Sequence, residues 1–134
     1  MEEIRIKIPD ELRSRIRLAG YVENVHDLLS VAAIYFQPSL VESQGLSVAE
    51  AMAHSLPCVV SDRGGLPESV QDGVTGFVVQ LEVEQASEKL LYLIRNKEAA
   101  RRMGGAGYEK YQRDFSPGIW QKKMDQILFG EAEV

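Results

Sequence analysis

Residues 38–79 read PSLVESQGLSVAEAMAHSLPCVVSDRGGLPESVQDGVTGFVV, and this stretch decides the fold. Pro38 stops an apolar run, Gly45 opens a helix rich in Ala and Met from about Leu46 to His54, and Pro57 opens a second apolar run, Cys58 to Ser61. Gly64-Gly65 turns the chain, Leu66 to Val70 makes a short helix, and Asp72-Gly73 turns it again into Gly76 to Val79. Short apolar runs bounded by Gly and Pro read as strands, and runs with helical spacing as helices. Strand and helix alternating three times imply right-handed crossovers and a parallel sheet in an α/β domain.

Upstream, Ala32 to Gln37 places Ile34, Tyr35 and Phe36 together, a run apolar on both faces, as expected of a strand covered by helices on two sides. Asn24 is placed to cap a helix through His26 and Leu29 to Val31. Ile16 to Gly20 reads as another extended run, Asp10 to Arg15 as a short helix, and Ile4, Ile6 and Ile8 alternate with Arg5 and Lys7 like an edge strand that Pro9 ends. Downstream of Gln80 the pattern is helical throughout. Ala86, Leu90, Leu91 and Ile94 share one face of a helix ending near Asn96, a second covers about Glu98 to Gln112, and Pro117 starts a last one carrying Trp120, Met124 and Ile127. Gly104, Gly105 and Gly107 interrupt the second of these, each at about 1 kcal/mol relative to Ala. No strand precedes them, so they do not form a dinucleotide loop.

At 134 residues the chain is long enough for one domain with a buried core, and the reading is a single partial domain over 1–134. A net charge of −5 argues against a nucleic-acid groove, which rewards clustered Lys and Arg. No apolar segment has the length of a membrane span, and the N-terminus has no signal core, so the expected location is cytoplasmic. The single cysteine, Cys58, excludes an internal disulfide and reads as a buried, inert thiol in PCVV.

Two carboxylates frame the glycine loop. Glu42 precedes it and Glu50 lies about one turn into the helix, at the carboxyl end of a strand, where open parallel sheets bind ligands. Carboxylates accept from sugar hydroxyls, and the unpaired N–H groups of a helix start attract phosphate, so the set suits a phosphorylated sugar. Two plainer readings stand beside this one. Ser47-Val48-Ala49-Glu50 matches a capping box, and Glu42 fits a solvated loop acid. His26 and His54 read as helix-face, structural residues. No His/Cys/Asp set has metal-ligand spacing, Asp62 and Glu68 stand too isolated for a cation site, and neither metal nor cofactor is expected.

Leu18 to Val79 closely resembles the C-terminal, nucleotide-sugar-binding domain of family 4 (group 1) glycosyltransferases of the GT-B fold. The resemblance is carried by Glu-x7-Glu at Glu42 and Glu50, with PS before it and AEAMA after it, by PCVVSDRGGLPESVQDGVTGFVV, and by MGGAGYEKYQRDFS near the end. It implies a Rossmann-like parallel sheet and a hexosyltransferase-type activity that moves a sugar from a nucleotide-sugar donor to an acceptor. It also implies that Glu50 accepts from ribose hydroxyls and that Glu42, the catalytic candidate, contacts the donor sugar. Backbone N–H groups of Gly45, Leu46 and Ser47 would hold the diphosphate or the sugar, and the backbone at Val22 would meet the base. The family's domain normally begins with further strands bearing an Arg and a Lys for the diphosphate, after a whole acceptor-binding domain. Nothing before Pro9 resembles these, so the expectation is a domain truncated on its N-terminal side and inactive alone. The alternative is a non-catalytic interaction module that pairs through its sheet edge with a missing N-terminal half or with itself.

Overall fold

In the computed structural model, which describes residues 7–43 and 45–130, the sheet is organised by its central strand. We label the strands β1 (Tyr35–Gln37), β2 (Cys58–Ser61) and β3 (Gly76–Val79), in the order β1-β2-β3, parallel throughout. Phe36 lies opposite Val59, and Val59 opposite Phe77. Successive side chains of a strand point to opposite faces, so β2 must be apolar on both. Cys58 and Val60 enter one core with Val48, Ala51, Met52, Leu66 and Val70, and Val59 enters the other with Val79, Leu93 and Met103.

The helices are α1 (Val25–Val31), α2 (Leu46–Ala53), α3 (Leu66–Ser69), α4 (Val83–Arg95), α5 (Lys97–Asp114) and α6 (Pro117–Phe129). Helix α2 connects β1 to β2 and α3 connects β2 to β3, so the parallel α/β fold is the one that the strand and helix alternation implies. Asn24 caps α1 as expected, its side chain accepting from the His26 N–H at 3.2 Å. Tyr111 of α5 and Phe115, which caps its end, pack on the α2 side of the sheet, while Ala86 and Leu90 of α4 and Ala100 of α5 pack on the other. No helix among the described residues is long and apolar enough to cross a membrane.

Three expectations change. The strand predicted over Ala32 to Gln37 is confined to Tyr35–Gln37, and it is not buried on both faces: Phe36 is 40% exposed. As an edge strand of the described sheet, β1 has one hydrogen-bonded neighbour among the described residues, β2, and its partial cover follows from that position. Ile16 to Gly20 forms no strand, since no neighbour in the described sheet completes a ladder for it. The alternating run from Ile4 falls largely outside the described residues.

The glycines of α5 also separate into different roles. A Cβ on Gly104 would collide with the Ser55 carbonyl oxygen, and one on Gly107 would lie 3.4 Å from Met52 Cγ, so these two let α5 press against the end of α2. Gly105 faces open space. Gly105→Ala is expected to stabilise the domain by about 1 kcal/mol, and Gly104→Ala to destabilise it by roughly 1–3 kcal/mol through overpacking. Urea unfolding midpoints of the two variants should therefore move in opposite directions.

Cys58 is fully buried, burial pushes its thiol up to about 12, and its Sγ lies 3.4 Å from the Leu56 carbonyl oxygen. A maleimide should leave the folded protein unlabelled at pH 7 and react once denaturant opens the core. Labelling of the native state at the rate of a free thiol would contradict this burial.

Candidate functional site

Gln37 ends β1, Pro38 cannot continue the ladder, and the chain leaves the sheet as a loop toward Gly45. Two contacts fix this loop to the segment after β2. Ser61 Oγ donates to the Ser39 carbonyl at 2.6 Å, and Gly65 N–H donates to the Glu42 carbonyl at 3.1 Å. A Cβ on Gly64, whose φ is +57°, would collide with the Glu42 carbonyl, so the Gly-Gly turn is what lets the two backbones approach.

Glu42 is half-buried and turns its carboxylate back into the loop. Its Oε1 accepts from the N–H groups of Ser43 at 3.0 Å and Gly45 at 3.4 Å, and its Oε2 accepts from Gln37 Nε2 at 2.8 Å. The Gln37 amide also donates to Ser39 Oγ at 3.1 Å, while its Oε1 accepts from the Tyr35 hydroxyl at 2.8 Å and from Ser47 Oγ at 3.0 Å. Glu42 is thus no solvated loop acid but part of a connected polar cluster at the carboxyl end of β1.

Helix α2 begins earlier than a capping box requires. Gly45, in the left-handed conformation at φ 62°, is the N-cap and supplies no side-chain cap, which puts Ser47 inside the first turn. Ser47 then spends its hydroxyl on Gln37, and the reciprocal Ser47–Glu50 box does not form. Glu50 is exposed, and its carboxylate makes no hydrogen bond to a described residue. Both acids act on the same group nevertheless. Burial pushes the Tyr35 phenol up, the Ser47 hydroxyl opposes this, and Cys58 and the Glu50 and Glu42 carboxylates add to the rise. Tyr35 therefore stays a neutral donor, with the two acids around it.

Among the described residues nothing accepts from the N–H groups of Leu46 and Ser47, whereas Gly45 N–H already faces Glu42. Leu46 holds its side chain in solvent and Gly45 is buried, 3.1 Å separating a Cβ built on it from Leu66. Val22 lies half-buried in the turn before α1, and no hydrogen bond joins it to the cluster. Hollows among the described residues neighbour the cluster. An apolar one of about 310 Å³ lies at the carboxyl ends of the strands between Phe36, Pro38, Val79 and Leu90. A more polar one of about 550 Å³ runs past Ser43, Leu46, Lys110 and Trp120. Neither is lined by Glu42 or Glu50.

Tyr35, Gln37, Ser39 and Gly64 belong to this site without having been singled out by sequence. The signal for Gln37 was an amide at the end of an otherwise apolar strand, two residues after Tyr35 and hence on the same face. The two histidines were read separately, yet His26 Nδ1 and His54 Nε2 meet at 3.0 Å and join the start of α1 to the end of α2. That meeting spans 28 residues and leaves no local trace in sequence.

Comparison with known proteins extends the geometry. The chain is 31% identical over 139 aligned residues to alpha-maltose-1-phosphate synthase of Mycobacterium tuberculosis, covering 95% of this chain and 35% of that protein. It is 30% identical over 105 residues to N-acetyl-alpha-D-glucosaminyl L-malate synthase of Bacillus anthracis, covering 78% of this chain and 28% of that one. It therefore spans about a third of the length of the relatives it matches. Among solved structures, Anabaena HepE in complex with UDP superposes with a TM-score of 0.89 at 20% identity, over 95% of this chain and 36% of HepE. Sucrose-phosphate synthase from Thermosynechococcus elongatus superposes at 0.82 with 28% identity, over 87% of this chain and 30% of that chain. These neighbours share the parallel α/β fold of GT-B glycosyltransferases. Residues 10–110, which include the whole polar cluster, match the family described as glycosyl transferases group 1, and the chain belongs to that family.

Proposed function

We propose that this chain is the donor-binding part of a retaining glycosyltransferase of family 4, and that a nucleotide-sugar docks where the loop after β1 enters α2. The observation that carries the reading is the contrast between the two acids: Glu42 is anchored on both oxygens, while Glu50 is exposed one turn into α2. Glu50 is free to accept from ribose hydroxyls. The N–H groups of Leu46 and Ser47 face the diphosphate or the sugar, that of Gly45 joins them if Glu42 yields it, and the backbone at Val22 meets the base. Glu42, fixed near the donor sugar, stabilises positive charge developing at the anomeric carbon. HepE, a structural neighbour, was solved with UDP, which supports a nucleotide ligand for the shared fold.

Affinity is expected to be low. The net charge is −5, and among the described residues no Arg or Lys belongs to the polar cluster, so a diphosphate meets amides but little positive charge there. The chain alone is expected to bind a nucleotide-sugar saturably and to transfer nothing, because the family's acceptor domain supplies the other half of the cleft. Calorimetric titration against uridine, adenosine and guanosine diphosphate sugars tests this. Glu50→Ala should weaken binding of the preferred donor roughly tenfold or more, the loss expected for hydrogen bonds to a charged group. Unchanged affinity in that variant would remove Glu50 from the site, and sugar transfer by the isolated chain would overturn the expectation of inactivity.

A second reading has its own observation. The outer edge of β1 has no partner in the described sheet, and Tyr21, Val31 and Val41 are 93%, 82% and 89% exposed. An open edge invites another strand, from a second copy or from a separate N-terminal half, and exposed apolar side chains add surface for a partner to cover. Sedimentation at increasing concentration should then show self-association of the isolated chain, or a complex when that half is added. A compact monomer in both would speak against pairing.

A further inference from the structure

The sequence puts a glutamine where β1 meets Pro38, and the fold uses every hydrogen-bonding position of its side-chain amide. Oε1 takes two hydroxyl donors, Tyr35 and Ser47, and Nε2 gives its two protons to Ser39 Oγ and Glu42 Oε2, all between 2.8 and 3.1 Å. Hydroxyls donate or accept as required, but an ionised carboxylate only accepts. Glu42 therefore dictates which end of the amide faces it, and the hydroxyls of Tyr35 and Ser47 complete the other end.

We propose that Gln37 is a positioning residue for Glu42 and for the first turn of α2. One amide clamps the carboxylate from the strand side, the Ser43 and Gly45 N–H groups clamp it from the loop side, and Ser47 ties the helix to the same amide. The assignment rests on the proposed role of Glu42 toward the donor sugar. It adds that the orientation of this acid is set by the sheet, whose backbone is more rigid than a loop. Ser61, bonded to the Ser39 carbonyl, extends the same support to β2.

Gln37→Glu separates positioning from plain stability. The introduced carboxyl has the size of the amide and still accepts from Tyr35 and Ser47, but it cannot donate to Glu42 unless it carries a proton. Two carboxylates in contact share one proton and titrate as a pair, one step displaced upward. Other titratable groups facing the cluster are Glu50 from α2, Tyr35 from β1 and Cys58 from β2. Burial keeps the phenol and the thiol protonated between pH 5 and 8, and Glu50 is the same in wild type and variant. A nucleotide-sugar diphosphate is a diester with no proton to gain in that range.

The test is a pH series from 5 to 8 on wild type, Gln37→Glu and Gln37→Met, with donor binding followed by calorimetry and the side-chain carboxyl carbons by NMR. Glu42 is identified in the spectra by its loss in Glu42→Gln. At pH 8, Gln37→Glu should bind the donor roughly tenfold more weakly than wild type and recover most of the loss by pH 5, while Gln37→Met stays weak throughout. The Glu42 carbon should titrate at higher pH in Gln37→Glu than in wild type. If Gln37→Glu binds like wild type at every pH and its Glu42 titration does not move, the assignment is overturned. If wild type binds no nucleotide-sugar, the donor reading fails, and the Glu42 titration still decides whether Gln37 holds it. Should Gln37→Glu not fold, the Glu42 carbon of Gln37→Met decides: an unchanged wild-type shift and pH response overturns the assignment.

Discussion

A strand buried on both faces leaves chemistry nowhere to go but its ends, and β2 imposes that constraint on the whole molecule. Cys58, Val59, Val60 and Ser61 are all solvent-free. Its first three residues are apolar, and the one polar side chain, Ser61, comes last and finds an acceptor at once in the Ser39 carbonyl. β1 follows the same rule at one remove. Tyr35 and Gln37 share a face, and both polar groups reach the carboxyl end of the sheet, where the loops are. A buried polar group must be paired, and no buried side-chain nitrogen or oxygen among the described residues lacks a partner. The polar cluster around Gln37 is therefore also what permits Tyr35 and Ser47 to lie half-buried beside an apolar core.

That constraint explains which parts of the fold could be read from sequence. β2, β3 and the helices from α2 onward carry their signals locally, in PCVVS, in DGVTGFVV and in the spacing of Leu90 and Ile94, and the structure places them within a few residues of the expected bounds. β1 was read too long because an apolar run does not say how much of it will find a neighbour. Ile16 to Gly20 failed as a strand for the same reason. A strand is a property of a pair, and hydrogen-bonding partners far along the chain decide whether an extended run becomes one.

The site divides along the same line. Glu42, Gly45 and Glu50 stood out because a loop between two acids at a strand's end is a local pattern. Gln37 did not, because its importance comes from Tyr35 two residues before, Glu42 five after and Ser47 ten after, brought to one amide by the turn at Pro38 and the entry into α2. The capping box failed on a single backbone angle. With Gly45 as a left-handed N-cap, α2 starts at Leu46, one residue before Ser47, and a serine that would have closed its own helix closes on β1 instead. Such a change of partner is invisible to spacing rules, which assume that the helix starts at the first residue able to cap it.

The arrangement around Glu42 also bears on how an anion could approach α2. A helix start offers unpaired N–H groups and partial positive charge, and here the nearest of them, Gly45 N–H, is already turned toward Glu42 at the long distance of 3.4 Å. A phosphate arriving at that amide would meet a carboxylate before it met the donor. The shorter contacts at Ser43 and Gln37 can hold Glu42 while the Gly45 contact is released, so the acid has a place to remain when the amide changes partner. Without the strand-side clamp the carboxylate would pivot about its loop contacts, and the amide and the acid would compete for the same space. The division of labour then runs through Gln37: the sheet keeps the negative charge fixed, while the N–H groups of Leu46 and Ser47 have no acceptor among the described residues.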